Sequence, residues 1–273
     1  MISLPQFEYV AQIIKNDSTK NVNISLDAFY LSNEITNKEY REFTDWAKEY
    51  PDEILSKPKE LIIKKNPEPG KTKVWNVPNW ITMSELLPLL IDSNAMNKVD
   101  KKYKNYFTDE KYNDYPVVGV SRNAAEYYCV WLIGLERQTI ILRKGQPAPN
   151  GMKVSDKTVI TTSPGYGYYR IPLEIEWEYI SRQPYNRKYN VDHQLHKVTD
   201  GNANRWGIFH IHDNVSEWVS EQNDTLAVSR GRNWMSKTDS SERLRMNPDS
   251  SSGLIGFRIA RTFKPEVINP ANK

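Results

Sequence analysis

A single cysteine, Cys129, stands in 273 residues, so no disulfide can close within the chain. A chain of this length can bury a core large enough to need no such staple, and the count therefore leaves the redox compartment open. Long apolar runs are also missing. No stretch approaches the roughly 20 residues that a membrane-spanning helix requires. Residues 1–23 have no apolar segment of the signal-peptide kind, because Lys15, Asn16 and Asp17 interrupt the only candidate. Two localisations remain as alternatives: cytoplasmic, or periplasmic or outer-membrane-associated if the native N-terminus of an exported protein is missing. Excess charge of one sign is absent too. The 37 Lys and Arg face 34 Asp and Glu, a net +3, which gives no electrostatic ground for nucleic acid or an anionic membrane as partner.

Aromatic residues are plentiful instead, with 8 Trp and 16 Tyr. Two readings fit them: an irregular domain whose loops are pinned by large rings, or a cleft lined with rings. Along the chain, residues 1–23 form a lead-in segment. The helical spacing of Phe7, Val10, Ala11 and Ile14 predicts a short amphipathic helix there. Ile24 to Leu31 alternates as a strand, with Ile24, Leu26, Ala28 and Tyr30 on one face. Thr36 and Glu39 make a capping-box pair that opens a helix with Tyr40, Phe43, Trp46 and Ala47 on its apolar side. Residues 50–114 are polar and lysine-rich, with Trp75 and Trp80 among them. Ser121 can cap a further helix whose Ala125, Cys129 and Leu132 share a face, which makes Cys129 a small core residue rather than a nucleophile. Lys153 to Thr161 is a candidate strand between two glycine- and proline-rich turns. Pro172 precedes a helix with Glu174, Glu176 and Glu178 near its start, where acidic residues suit the helix dipole. Phe257 and Ile259 alternate with Arg258 and Ala260 as a half-buried strand.

Several stretches resemble, in order, the motifs of the formylglycine-generating enzymes, the sulfatase-modifying factors. Glu34-Ile-Thr-Asn-Lys-Glu-Tyr-Arg-Glu-Phe43 is similar to the family's first helix. Tyr115-Pro-Val-Val-Gly-Val-Ser121 resembles its Pro-Val-x-x-Val-Ser-Trp segment. Tyr169-Arg-Ile-Pro-Leu-Glu-Ile-Glu-Trp-Glu-Tyr179 and Asp213-Asn-Val-Ser-Glu-Trp218 look like its Tyr-Arg-Leu-Pro-Thr-Glu-Ala-Glu-Trp-Glu-Tyr and Gly-Asn-Val-Trp-Glu-Trp. Arg230-Gly231 to Trp234, Arg243-x-Arg245 and Gly256-Phe257-Arg258 stand where the family has Arg-Gly-Gly-Ser-Trp, Arg-x-Arg and a closing Gly-Phe-Arg strand. The resemblance implies an α+β fold, the sulfatase-modifying-factor fold related to C-type lectins, with much irregular structure over residues 24–263 and a tail over 264–273.

The chemistry implied by the family does not carry over. By register from Trp234, the cysteine pair that binds copper and meets the substrate thiol in active aerobic members is Ser236 and Ser241 here. A serine hydroxyl is neither soft nor readily ionised, and a two-thiol mechanism within one chain is excluded by counting. Asn233 replaces the family serine before the aromatic residue, Ser216 replaces a tryptophan, and Leu173 replaces a capping threonine at a cost of about 1 kcal/mol. The reading is a non-catalytic binding or scaffold protein, with Asn233, Trp234, Ser236, Ser241, Arg243 and Arg245 as cleft candidates. A formylglycine-generating oxidase and a glycan-binding module are the alternatives. No cofactor is expected, and copper least of all. Calcium is a candidate, since the family's second calcium site falls by register on His210, Asp213, Val215 and Glu217, although a histidine nitrogen is a poor calcium ligand. His210, His212 and Asp213 also invite a transition-metal reading, against ordinary hydrogen-bonded histidines. The stretch Tyr106 to Val120 resembles the gliding-motility and type IX secretion lipoproteins of the Bacteroidetes, which implies a protein partner in a cell-envelope complex.

Overall fold

The computed structural model describes residues 1–15, 18–56, 80–141, 168–184, 193–220, 226–236 and 243–262. Two four-stranded sheets carry the fold. The first has the order β1 (Ile2–Leu4), β4 (Phe29–Glu34), β12 (Arg258–Thr262), β7 (Tyr168–Arg170), all antiparallel neighbours. The second has the order β10 (Arg243–Met246), β9 (Ala227–Arg230), β8 (Ser216–Val219), β11 (Ile255–Gly256), with β11 parallel to β8. Two hairpin-like pairs stand apart: β2 (Phe7–Lys15) with β3 (Ser18–Leu26), and β5 (Ile54–Ser56) with β6 (Trp80–Thr82). The mixture of helix and sheet agrees with the expected α+β class.

The helices begin where side chains can hold their first N–H groups. Thr36 and Glu39 form a reciprocal capping box on α1 (Asn37–Glu49), and Thr82 with Glu85 repeats it on α2 (Met83–Leu90). A short α3 (Ala95–Val99) follows, then single 3-10 turns at Lys101–Tyr103 and Glu110–Tyr112. The Ser121 hydroxyl accepts from Ala124 N–H at 3.1 Å at the start of α4 (Arg122–Ile141). The last helix, α5 (Glu174–Ser181), has Leu173 at its cap, which offers no side-chain acceptor. Tertiary structure takes over that task. Ser220 C=O accepts from Glu174 N–H at 2.9 Å, and the Glu176 carboxylate accepts from Leu173 N–H at 2.8 Å.

Two expectations at the N-terminus are corrected. Phe7 to Ile14 is not a helix; it is strand β2, in register with β3 from Phe7↔Leu26 to Lys15↔Ser18. The aromatic and β-branched content of Phe7, Tyr9, Val10, Ile13 and Ile14 favours a pleated surface once a partner strand supplies hydrogen bonds. Within the expected lead-in, β1 is an edge strand of the first sheet, pairing Ile2 with Leu31. The strand expected over Ile24 to Leu31 is divided, β3 ending at Leu26 and β4 starting at Phe29. Its inward side is also the other one: Phe29 and Leu31 are buried, while Ala28 is exposed and Tyr30 half-buried. Pairing with β1 and β12 fixes the register, and a shift of one residue exchanges the faces of a strand. The candidate strand Lys153 to Thr161 lies outside the described residues.

The largest core cluster is aromatic. Tyr40, Phe43, Tyr128, Trp131 and Phe257 meet with ring centres 5.2 to 5.9 Å apart. Burial at this density gives the directional ring contacts that add to area alone. Tyr40 O–H donates to Leu90 C=O at 2.9 Å and Trp218 Nε1–H to Val120 C=O at 2.9 Å, so their polar ends are satisfied inside. Cys129 is buried within this cluster, as its helical spacing predicts.

Candidate functional site

The segment Gly231 to Ser236 folds as a tight turn against β8. Gly231 has φ +87°, and a Cβ there would lie 3.1 Å from the Trp177 ring, so backbone freedom and close approach both demand glycine. Asn233 organises the rest of the turn. Its side-chain oxygen accepts from Met235 N–H at 3.1 Å, and its N–H donates to the Ser236 hydroxyl at 3.1 Å. Its carbonyl accepts from Ser236 N–H at 2.9 Å, and its amide nitrogen reaches the Ser216 hydroxyl at 3.4 Å. Ser216 in turn donates to Gly231 C=O at 3.0 Å. Polar side chains that bond their own backbone in this way are what hold such turns closed. Two positions that depart from the family motif, Asn233 and Ser216, are thus partners of each other, and Ser236 serves the same turn rather than facing solvent.

Trp234 points from this turn into a third core cluster with Met96, Tyr106, Val118, Leu195 and Val215. Tyr103 meets its ring edge-on at 5.6 Å, and the Lys102 ammonium lies 5.5 Å from the ring centre. Tyr106 and Tyr112 continue the stack at 4.8 Å, and Tyr112 and Tyr115 at 5.6 Å. The loop between α3 and α4 therefore covers the tryptophan.

The two arginines of β10 part company. Arg243 grips Glu174 with a two-point fork, Nε at 2.6 Å and an NH2 nitrogen at 3.0 Å, and so ties β10 to the start of α5. Arg230 stands 3.5 Å from the same carboxylate, over the Trp177 ring. Arg245 is exposed and faces Val228 in the strand register. Ser241 lies outside the described residues. Of the cleft candidates, the structure brings together Asn233, Trp234 and Ser236, commits Arg243 to Glu174, and leaves Arg245 on the surface.

Between the sheets runs a buried polar chain. Arg258, the first residue of β12, is fully buried and pairs with both oxygens of Glu217 on β8. Its Nη1 donates to Ser32 C=O at 3.0 Å, its Nη2 donates to Phe209 C=O at 3.1 Å as well as to Glu217, and Trp177 Nε1–H donates to Glu217 at 2.8 Å. Beside this pair, Glu34 accepts from the Asn214 amide at 2.8 Å. Burial pushes the Glu34 carboxyl up to about 8, against the pull of His210 and Arg258 and with a push from Glu217. Burial also opposes a charged His210, but its hydrogen bond to Asp213 and the neighbouring Glu34 outweigh that, and its pKa is raised. Burial lowers that of His212.

These contacts bear on the calcium candidates. Glu217 has both oxygens engaged by Arg258 and Trp177, which puts a guanidinium where a cation would have to sit. His210 spends Nδ1 on Asp213 at 3.0 Å. Among the described residues no group of three or more His, Cys, Asp or Glu is arranged to hold a metal ion. With Glu217 held by Arg258, His210, Asp213, Val215 and Glu217 do not fit calcium as a set.

The sequence profile described as "Sulfatase-modifying factor enzyme 1-like domain" matches residues 2–208 and 186–263. The chain belongs to the sulfatase-modifying factor family. A Bos taurus protein named "Inactive C-alpha-formylglycine-generating enzyme 2" is 25% identical over 186 residues, covering 54% of this chain and 50% of the relative. The chain thus spans about half the length of that relative. Three solved structures share the fold. PvdO from Pseudomonas aeruginosa is 16% identical, with TM-score 0.50 over 95% of this chain and 92% of that one. Treponema denticola variable protein 1 is 17% identical, with TM-score 0.50 over 95% and 94%. CarF is 15% identical, with TM-score 0.51 over 96% and 98%.

Within this sulfatase-modifying-factor frame, sequence reading missed the cover. Lys102, Tyr103 and Tyr112 belong to a polar connection to which the sequence assigns no role, yet they pack on Trp234 or beside it. The available signal was the tyrosine at 103, 106, 112 and 115, a density that a solvated linker does not need. Glu174, the carboxylate that engages Arg243, was legible only as a helix-start residue.

Proposed function

We propose that this chain is a non-catalytic member of the sulfatase-modifying factor family that binds a protein partner through the face formed by the Gly231–Ser236 turn and its tyrosine cover. One observation carries the reading: Ser236 replaces one of the thiols of active members, and its hydroxyl is an internal acceptor of the Asn233 turn. A buried hydroxyl engaged in a backbone turn offers neither copper ligand nor nucleophile. The bovine relative named as inactive supports the same direction. The finer placement is a gliding-motility or type IX secretion complex of the Bacteroidetes cell envelope, with the protein periplasmic or outer-membrane-associated. What supports it is the resemblance carried by the Tyr106 to Val120 stretch, whose Tyr106, Tyr112 and Tyr115 pack in or against the cluster that holds Trp234.

Two measurements test this. A sulfatase-derived peptide incubated with the protein, copper and reductant is expected to keep its mass; a formylglycine mass change would overturn the reading. Affinity purification from the envelope fraction of the source organism is expected to return a defined partner with the wild type and less of it with Met235→Glu, a change at the exposed residue of the turn. Equal recovery would move the interface away from this turn. Arg243→Ala serves as a structural control, because it releases Glu174 rather than a surface contact.

A further inference from the structure

The indole N–H of Trp234 is buried and has no hydrogen-bond acceptor among the described residues, although the residue as a whole is only 4% exposed. Buried donors of native proteins are nearly always paired, and an unpaired one asks for a reason. The turn around it shows no such gap: Asn233 and Ser236 bond each other, Asn233 meets Ser216, and the backbone N–H of Trp234 donates to Asn214 C=O at 2.9 Å. Tyr106, in the same cluster, donates its O–H to Pro116 C=O at 2.7 Å. Lys102 stands over the unpaired indole. Its ammonium lies 4.8 Å from the Tyr103 ring centre and 5.5 Å from that of Trp234, with Asp100 at 3.3 Å and a side chain 60% exposed. A long, solvated, cationic side chain thus lies over the ring whose buried donor no described residue uses.

We propose that Trp234 and Lys102 form a recognition point for a carboxylate, supplied by an acidic side chain on an extended segment of a protein partner. On binding, the Lys102 ammonium exchanges Asp100 for the incoming carboxylate, and the indole N–H donates to one of its oxygens. No bond is made or broken beyond this exchange of ion pairs, and no proton moves. One ammonium and one neutral donor match a single negative charge with two acceptor oxygens. A sugar acid could not use the site as an open stacking platform, because the Trp234 ring is covered by Lys102 and Tyr103. The assignment rests on the protein-binding reading given above and adds the chemistry of the partner.

The test uses the whole chain labelled with nitrogen-15, with the Trp234 indole signal identified by its loss in Trp234→Phe. A short glutamate peptide is the probe, a glutamine peptide of equal length the control, and glucuronate the third arm. The glutamate peptide is expected to move the Trp234 indole signal downfield while the Trp177 and Trp218 indoles, already bonded to Glu217 and Val120, stay in place. Lys102→Gln, a change at an exposed side chain, is expected to weaken that response about tenfold or more. No movement with the glutamate peptide, an undiminished response in Lys102→Gln, or a response to glucuronate without one to the peptide would each overturn the assignment. If an envelope partner binds without moving the Trp234 signal, this assignment fails and the non-catalytic binding role stands.

Discussion

Arg258 and Glu217 show what a single buried charge demands. Neither is exposed beyond 1%, and each is the other's counter-charge. Arg258→Met should leave the buried Glu217 without its counter-charge, and breaking such a pair from one side costs about 3–5 kcal/mol. Urea unfolding is expected to show that loss, and to show part of it recovered when Glu217→Gln is added. A double variant as unstable as the sum of the two singles would mean the residues are not coupled. Glu34 makes a different prediction, because its folded-state pKa of about 8 lies above the ordinary carboxyl value of 4.5. The native state then holds the Glu34 proton more tightly than the unfolded chain does. Stability from this group is complete below about 4.5 and is lost as pH rises through about 8. The raised pKa of His210 acts in the same sense. Glu34→Gln should therefore gain on the wild type across that window as pH rises, measured as the difference of two urea midpoints. A constant difference from pH 5 to 8 would refute it. That Asn233, Trp234 and Ser236 lie together was legible because they are near one another in sequence. The acceptors of Arg243 and Arg258 were not, because Glu174 is 69 positions from the one and Glu217 is 41 from the other.

Elements were legible in proportion to how locally they are encoded. α1 begins at Thr36 because threonine and Glu39 satisfy each other's end groups within one turn, and the spacing of Tyr40, Phe43 and Ala47 decides which side is buried. α4 begins after Ser121 for the same kind of reason. β2 failed because Phe7, Val10, Ala11 and Ile14 also fit a helix, and only the facing β3 resolves the choice. β4 was placed on the wrong face because its register belongs to β1 and β12, not to its own sequence. α5 shows the same dependence in its energetics. With Leu173 unable to cap, its start is held by Ser220, by the Glu176–Arg170 pair at 2.6 Å and by the Glu174 fork to Arg243. Glu174→Gln should strip the charge from that fork and cost about 1.5–3 kcal/mol, the range for hydrogen bonds to charged groups. Amide exchange should quicken at both the first turn of α5 and β10. Faster exchange in α5 alone would mean that Arg243 does not tether the strand.

At the scale of the molecule, the closing Gly-Phe-Arg motif reads in the sequence as one strand, and it is a crossing between two sheets. β11 adds to β8 in the second sheet, β12 inserts between β4 and β7 in the first, and Phe257 alone separates them. Its carbonyl accepts from Ile35 N–H at 2.9 Å, just past the end of β4, and its ring is fully buried against Tyr40 and Tyr128. Arg258 reaches back from β12 to Glu217 on β8, so a covalent step and an ion pair join the same two sheets at one place. Sheets linked in this way should open together rather than one after the other. Phe257→Ala removes a buried aromatic side chain and should cost about 3–5 kcal/mol, with the loss shared between the sheets. Native-state hydrogen exchange is the measurement that decides it. The amides of β4 and β8 are expected to lose protection by the same amount in the variant. If β4 loosens while β8 keeps its wild-type protection, the crossing is only a connection, and each sheet rests on its own side of the core.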